Sequence, residues 1–248
     1  GPIGLNHTIK NVEAHDLIHT GTFNSPDDKR YFIVDINGIR VAFFSYSQDY
    51  NSHLDGRFFN AEGKEVMLNE YSRERLETDL NNARADGAEF TIVYIHFFCA
   101  DYPEEVLDVQ IDLAKEIAEA GADCIIGGHP HVAQPYDDIY LPSGKRVPVV
   151  YSLGNFITSD KPITRMNYIY ELFLEKDENG TVQIADEKVI PCSVVKLEGN
   201  TGYVVFPTPE NWRDGTDDEM QMLQEAEDEI MRRVGDKISI DTNDADVP

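Results

Sequence analysis

His129 and His131 stand on either side of Pro130, directly after Gly127 and Gly128. Proline fixes its own φ and lacks an N–H, so the His-Pro-His run is stiff. The glycines carry no Cβ, so the chain can turn sharply there or pass close to a ligand. Neutral imidazole is the commonest side-chain metal ligand, and two imidazoles on one stiff loop can bind one or two divalent ions. A polar loop whose histidines only form hydrogen bonds would show the same short pattern. Two other segments end in similar chemistry. The apolar run Phe90-Thr91-Ile92-Val93-Tyr94-Ile95 finishes in His96, and the run Arg146–Tyr151 leads into Ser152-Leu153-Gly154-Asn155-Phe156. An amide at Asn155 can hydrogen-bond a ligand or orient a metal ligand. It can equally be a turn residue, since Asn tolerates left-handed geometry.

The elements that must position these residues are legible. Ser72 can cap a helix over 73–86 with Leu76, Leu80 and Ala83 in one row, and Gly87 ends it. A second helix is predicted from about Glu104 to Ala120, with Leu107, Ile111, Ala114, Ile117 and Ala118 at helical spacing. It runs out at Gly121, and Cys124-Ile125-Ile126 reads as a buried strand, after which the two glycines turn the chain. The order helix, strand, His96, helix, strand, His129/His131 is a βαβ-type repeat with parallel strands. Ligand sites of such sheets lie at the C-terminal strand ends, so the three histidines should converge on one edge.

Elsewhere, Tyr31–Ile36 and Ile39–Tyr46 flank Asn37-Gly38, the strongest short-range hairpin signal. Residues 167–175 alternate as an antiparallel strand, with a turn at Asp177–Gly180 and further strands near 181–196. Antiparallel hairpins around a βαβ core predict a layered α/β fold of mixed sheets flanked by helices. Residues 1–20 look helical, with Ile9, Val12 and Leu17 as apolar positions; His7, His15 and His19 fall here, and His15 and His19, four apart, read as structural. Residues 47–68, which contain His53 and Asp55, are either an insertion near the site or a long loop. Gln134-Pro135-Tyr136 leads into what reads as an acidic loop. A helix is expected near 217–234, with Met220, Leu223, Ile230 and Val234 in a row, before a frayed tail from Asp241 to Pro248. Residues 1–200 are taken as one domain and 201–248 as an acidic extension.

Composition narrows the function. The 248 residues include 21 Lys+Arg and 46 Asp+Glu, a net charge of -25. Such a surface repels phosphate backbones and argues against nucleic-acid partners. Cys99, Cys124 and Cys192 are widely spaced and give neither a disulfide framework nor a zinc signature. Cys124 reads as a small core residue, and Cys99 as packing close to the His96 strand. No apolar run approaches the ~18 residues that cross a bilayer. No signal peptide is visible, and the sequence starts at Gly1 without Met.

The stretch 88–157 resembles the CapA family of capsule biosynthesis, which makes or handles poly-γ-glutamate and has a calcineurin-like metallophosphoesterase fold. The resemblance is carried by His96 after its strand, Gly121-Ala122-Asp123, Gly128-His129-Pro130-His131-Val132, Gln134-Pro135, and Tyr151-Ser152-Leu153-Gly154-Asn155-Phe156. Gly1-Pro2-Ile3-Gly4-Leu5, Thr8 and His19-Thr20-Gly21-Thr22 resemble the segment after the family's Asn-Asn-His motif. On that alignment the family's first Asp and its Asn-His ligands lie before Gly1, and the chain is the C-terminal two-thirds of a member. His96-Phe97-Phe98 stands where the family has His-Trp-Gly, and Asp101-Tyr102 where it has Glu-Tyr.

The resemblance implies a metal-dependent hydrolase with two divalent ions (Mn, Fe or Zn). His96, His129 and His131 would be ligands, and Asn155 would touch the substrate or a ligand. It implies a phosphorylated small molecule or an anionic polymer as substrate, other capsule-synthesis proteins as partners, and a place at the cell surface behind an N-terminal membrane anchor. The alternative is a non-catalytic surface module that binds polymer or partner proteins. Poly-γ-glutamate would then need bridging cations against this acidic surface.

Overall fold

The structure is a computed structural model and describes residues 2–25, 27–50, 68–158, 160–196, 202–207, 216–235 and 239–241. His53 and Asp55 lie outside the described residues. The fold is layered α/β, as expected. Strands β1 (Tyr31–Ile36), β2 (Ile39–Ser47), β3 (Phe90–His96), β4 (Cys124–Gly128), β5 (Tyr136–Tyr140), β6 (Arg146–Val150) and β10 (Ser239–Asp241) form one sheet in the order β1-β2-β3-β4-β6-β5-β10. Strands β7 (Met166–Lys176), β8 (Val182–Lys196) and β9 (Tyr203–Pro207) form a second, antiparallel sheet.

The centre of the large sheet is parallel: β2, β3, β4 and β6 all run the same way. Helices α2 (Arg73–Ala85) and α3 (Asp108–Ala120) are the crossovers before β3 and β4. Leu76, Leu80, Ala83, Ala114, Ile117 and Ala118 are buried against Phe44, Val93, Ile95 and Ile125 on one face of this sheet. The other face puts Val41, Phe90 and Cys124 against Leu172, Leu174 and Ile184 of β7 and β8. Both faces are therefore apolar, which is why β3 and β4 read as nearly continuous hydrophobic runs.

Local chemistry sets the boundaries. Asn37 and Gly38 both take positive φ, 53° and 88°, as a tight hairpin turn demands. The Ser72 side chain accepts from Arg75 N and starts α2. Gly121, at φ 116°, caps the end of α3. That helix begins at Asp108 rather than Glu104. Leu107 N–H donates to the Gln110 side chain at 3.1 Å rather than to the preceding turn, and the carbonyls of Pro103 and Glu105 accept from the Gln134 side-chain amide, at 3.0 and 2.8 Å. The acidic loop expected after Pro135 is the strand β5, antiparallel to β6, with Asp138 paired to Arg146 at 2.8 Å. That ion pair lets an acidic side chain sit in a sheet.

Helix α1 (Pro2–Ala14) buries Ile9, but Leu17 lies beyond its end and is exposed. His7 and His15 are exposed, and His19 lies 3.5 Å from Glu13. Helix α4 (Asp217–Val234) buries Leu223, Ala226, Ile230 and Val234. Ile230 and Val234 pack with Ala133, Val150 and Tyr168. Beyond residue 200, β9 extends the small sheet and β10 joins the large one. No helix among the described residues is long and apolar enough to cross a membrane.

The two glycines before the histidines do not make the turn. Gly127 and Gly128 close β4, and the positive φ angles fall on His129 (109°) and His131 (64°). A Cβ on Gly127 would run into the Tyr151 carbonyl and the Phe97 ring, and one on Gly128 into the Tyr94 hydroxyl. Glycine is needed here for close packing. Gly127→Ala should therefore destabilise the fold by about 1–3 kcal/mol through overpacking. Gly4→Ala, on α1 with open space around it, should be neutral or stabilising by up to about 1 kcal/mol. Urea midpoints of the two variants check this, and an unchanged midpoint for Gly127→Ala would refute the packing role.

Candidate metal centre

Sheet register brings the histidines together. His96 pairs with Gly128 across β3 and β4, and with Ser47 across β3 and β2. His129 follows Gly128, so it leaves the sheet beside His96. The His129 Nδ1 to His96 Nε2 separation is 3.0 Å, with the rings edge to face at 4.8 Å between centroids. His131 lies one step on, its ring centroid 6.2 Å from that of His129. The Asn155 Oδ1 is 3.0 Å from His131 Nδ1. All four residues singled out in the sequence thus gather in one place.

Their hydrogen bonds fix which nitrogens are free. A carbonyl can only accept, so His129 Nε2–H donates to the Cys99 carbonyl at 3.0 Å, and the Asp101 carboxylate lies 3.3 Å from the same nitrogen. The lone pair of neutral His129 is then on Nδ1, facing His96. In the same way, donation from His131 Nδ1 to Asn155 leaves Nε2 as the basic nitrogen of that ring. These contacts orient imidazoles as outer partners of a metal ligand do.

The surroundings of His96 favour its neutral ring. Burial, then the proximity of His129 and His131, holds His96 below the ordinary histidine range. Burial and then Asp101 push the Cys99 thiol up to about 11, so Cys99 serves the site through its backbone and not as a thiolate. A cavity of about 540 Å³ opens beside His96, lined by Thr22, Ser45, Ser47, Asp49 and Tyr94 among others. Gly21 and Thr22, from the His19-Thr20-Gly21-Thr22 run, sit on its wall.

Three described residues near the histidines did not stand out as contacts from sequence. Tyr102, at φ 66°, donates its N–H to the Pro130 carbonyl at 3.0 Å and sets its ring 5.7 Å from His131. Gln134 is fully buried, exchanges side-chain hydrogen bonds with Gln110, and holds the 103–105 turn. Arg233 donates to the Ala133 carbonyl at 3.1 Å. Non-glycine residues at positive φ cost strain that the surrounding structure must maintain, and His129, Tyr102 and His131 all bear it around one point.

The sequence matches the family described as "Bacterial capsule synthesis protein PGA_cap" over residues 1–160. The chain belongs to the PGA_cap family. It is 30% identical over 202 residues to the "Capsule biosynthesis protein CapA" of Bacillus anthracis, covering 78% of this chain and 44% of that protein. It is 25% identical over 170 residues to the "PGA biosynthesis protein CapA" of Bacillus subtilis (strain 168), covering 68% of this chain and 42% of that protein. The PGA_cap chain thus spans less than half the length of these relatives. Among solved structures, "calcineurin-like phosphoesterase YfkN from Bacillus subtilis" aligns at a TM-score of 0.41 and 16% identity, covering 85% of this chain and 61% of that one.

The PGA_cap histidines make a checkable claim about pH. A depressed His96 pKa means that the unfolded chain binds a proton that the folded chain refuses. Stability should be full above the unfolded histidine value of about 6.5 and should fall as pH drops from there toward the lower folded value. His96→Asn should flatten that slope. Urea midpoints measured from pH 7.5 to 5 test it, and an identical slope in both proteins would refute it.

Proposed function

We propose that this PGA_cap chain carries the histidine half of a divalent-metal centre that hydrolyses phosphoester-type bonds during capsule synthesis. The observation that carries the reading is the 3.0 Å separation of His96 Nε2 and His129 Nδ1. With metal–nitrogen bonds of about 2.0–2.1 Å, two neighbouring nitrogens on one ion lie roughly 3 Å apart. The two rings therefore fit one ion with little movement, once His96 takes the tautomer that frees its Nε2. His131, oriented by Asn155, keeps Nε2 as its basic nitrogen, with its ring centroid 6.2 Å from that of His129. Imidazole suits Mn, Fe or Zn without deciding among them.

The donor set is partial. Among the described residues no group of three His, Cys, Asp or Glu is gathered closely enough to hold an ion by itself. The proposal therefore takes the remaining ligands, carboxylates above all, from outside the described residues. A bound divalent ion would supply an acidified water and polarise a phosphoryl oxygen. The chain's own residues orient the ligand nitrogens through Cys99, Asp101 and Asn155, and keep His96 unprotonated by burial. Asn155, beside His131, is assigned a substrate contact in this reading. The substrate class is a phosphorylated small molecule or an anionic polymer intermediate, the partners are other capsule-synthesis proteins, and the setting is the outer face of the cell.

A second reading is a non-catalytic module that binds polymer or a partner protein. The exposed Phe98 after the buried Phe97, where the family resemblance has Trp-Gly, supports it.

Calorimetric titration of Mn²⁺ or Zn²⁺ into the 248-residue chain, followed by a p-nitrophenyl phosphate assay, tests the proposal. Wild type should bind metal weakly, because its donor set is partial, and His129→Ala/His131→Ala should lose that binding. Asp101→Asn should weaken binding about tenfold or more, as loss of an outer partner does. Absence of binding to wild type would sink the metal reading. Turnover is not expected from a partial donor set, so it is metal binding that is equal in wild type and the double variant that would favour the second reading.

A further inference from the structure

Helix α4 lies outside residues 1–160 that match PGA_cap, yet beside the apolar packing of Ile230 and Val234 on Ala133 it hydrogen-bonds the histidine loop through the buried Arg233. Arg233 is 6% exposed. Its guanidinium bonds three segments. Nη1 donates to the Ala133 carbonyl at 3.1 Å, Nε to Glu229 at 2.7 Å on its own helix, and Nη2 lies 3.3 Å from Glu104. Ala133 stands two residues after His131. Glu104 stands two residues after Tyr102, which is itself bonded to Pro130.

We propose that Arg233 is a positioning residue of the histidine site, and that α4 is part of that site's scaffold. The planar fork of arginine can hold a carbonyl and two carboxylates at once, which the single ammonium of lysine cannot do with the same geometry. Ala133 also bridges to Leu153, two residues before Asn155, so the clamped carbonyl sits between the His131 and Asn155 turns. Tyr168 donates to the next carbonyl, Gln134 O, at 3.0 Å. Arg232 first, and then Arg233, hold Glu229 down to about 2, so the clamp keeps its negative partner across the physiological range. The strained φ angles at Tyr102, His129 and His131 need such outside support.

The proposal rests on the histidine loop being the functional site, but its main readout needs no metal. Amide hydrogen exchange is measured on the whole chain for wild type, Arg233→Ala, Arg233→Lys and Leu223→Ala. Leu223 is fully buried on the same helix, so its variant loosens the helix packing while leaving the arginine hydrogen bonds in place. Arg233→Ala should speed exchange at residues 102–105 and 129–134 by about tenfold or more relative to the rest of the chain, the factor that a hydrogen bond to a charged group is worth. Arg233→Lys should fall between, and should carry the comparison if Arg233→Ala does not fold. Equal acceleration of these amides by Leu223→Ala, or none in the Arg233 variants, would overturn the proposal. Zn²⁺ affinity separates the two readings. If wild type binds Zn²⁺, Arg233→Ala should weaken it about 10–100-fold. If wild type does not, the metal reading fails and the exchange data still decide the role of Arg233.

Discussion

The register of β3 against β4 is the constraint on which the site depends. His96 is the last residue of its strand and pairs with Gly128, so the next residue of the neighbouring chain emerges beside it. A slip of one residue would turn His96 to the opposite face of the sheet. Burial on both faces prevents that slip. Val93 and Ile95 face α2 and α3, while Ile92 faces the small sheet, so either shift would expose apolar area or bury polar groups. The packing of helices and sheets thus sets the distance between two imidazoles.

Beyond the sheet, the histidines sit on backbone that hydrogen bonds must hold. His129 and His131 take positive φ without being glycine, and the chain compensates with bonds from three directions. Tyr102 binds the Pro130 carbonyl, Gln134 ties the loop to the turn before α3, and Arg233 clamps Ala133 from α4. Each partner is buried or half-buried, where a hydrogen bond left unmade is costly. A stiff proline between the histidines would not by itself fix their directions. The buried network does that.

Charge is arranged in the same spirit. The chain carries a net charge of -25, yet the cluster itself is three imidazoles with Asp101 on its rim. Burial keeps His96 neutral, and Asp101 with the Cys99 carbonyl fixes the tautomer of His129. Membership of PGA_cap places this arrangement in a capsule-synthesis family.

The sequence by itself determined the elements and the edge at which the histidines meet. Those features follow from local rules: Asn-Gly forms the hairpin, Ser72 and Gly121 cap helices, and apolar runs between helical rows make parallel strands. Tertiary structure alone decided the rest. The expected turn at Gly127-Gly128 became close packing against Phe97, Tyr94 and Tyr151, because the neighbours of a glycine are not visible in its own segment. The start of α3 moved to Asp108 because Gln110 takes the Leu107 N–H and Gln134, far along the chain, holds the turn before it. The acidic run after Tyr136 became a strand because it pairs with β6, whose Arg146 reaches diagonally to Asp138. Arg233 carries no signal at all in an acidic helix, since its role exists only where Ala133 and Glu104 come within reach. Local propensity is written residue by residue, whereas the partners of a buried polar group are chosen by the packed fold.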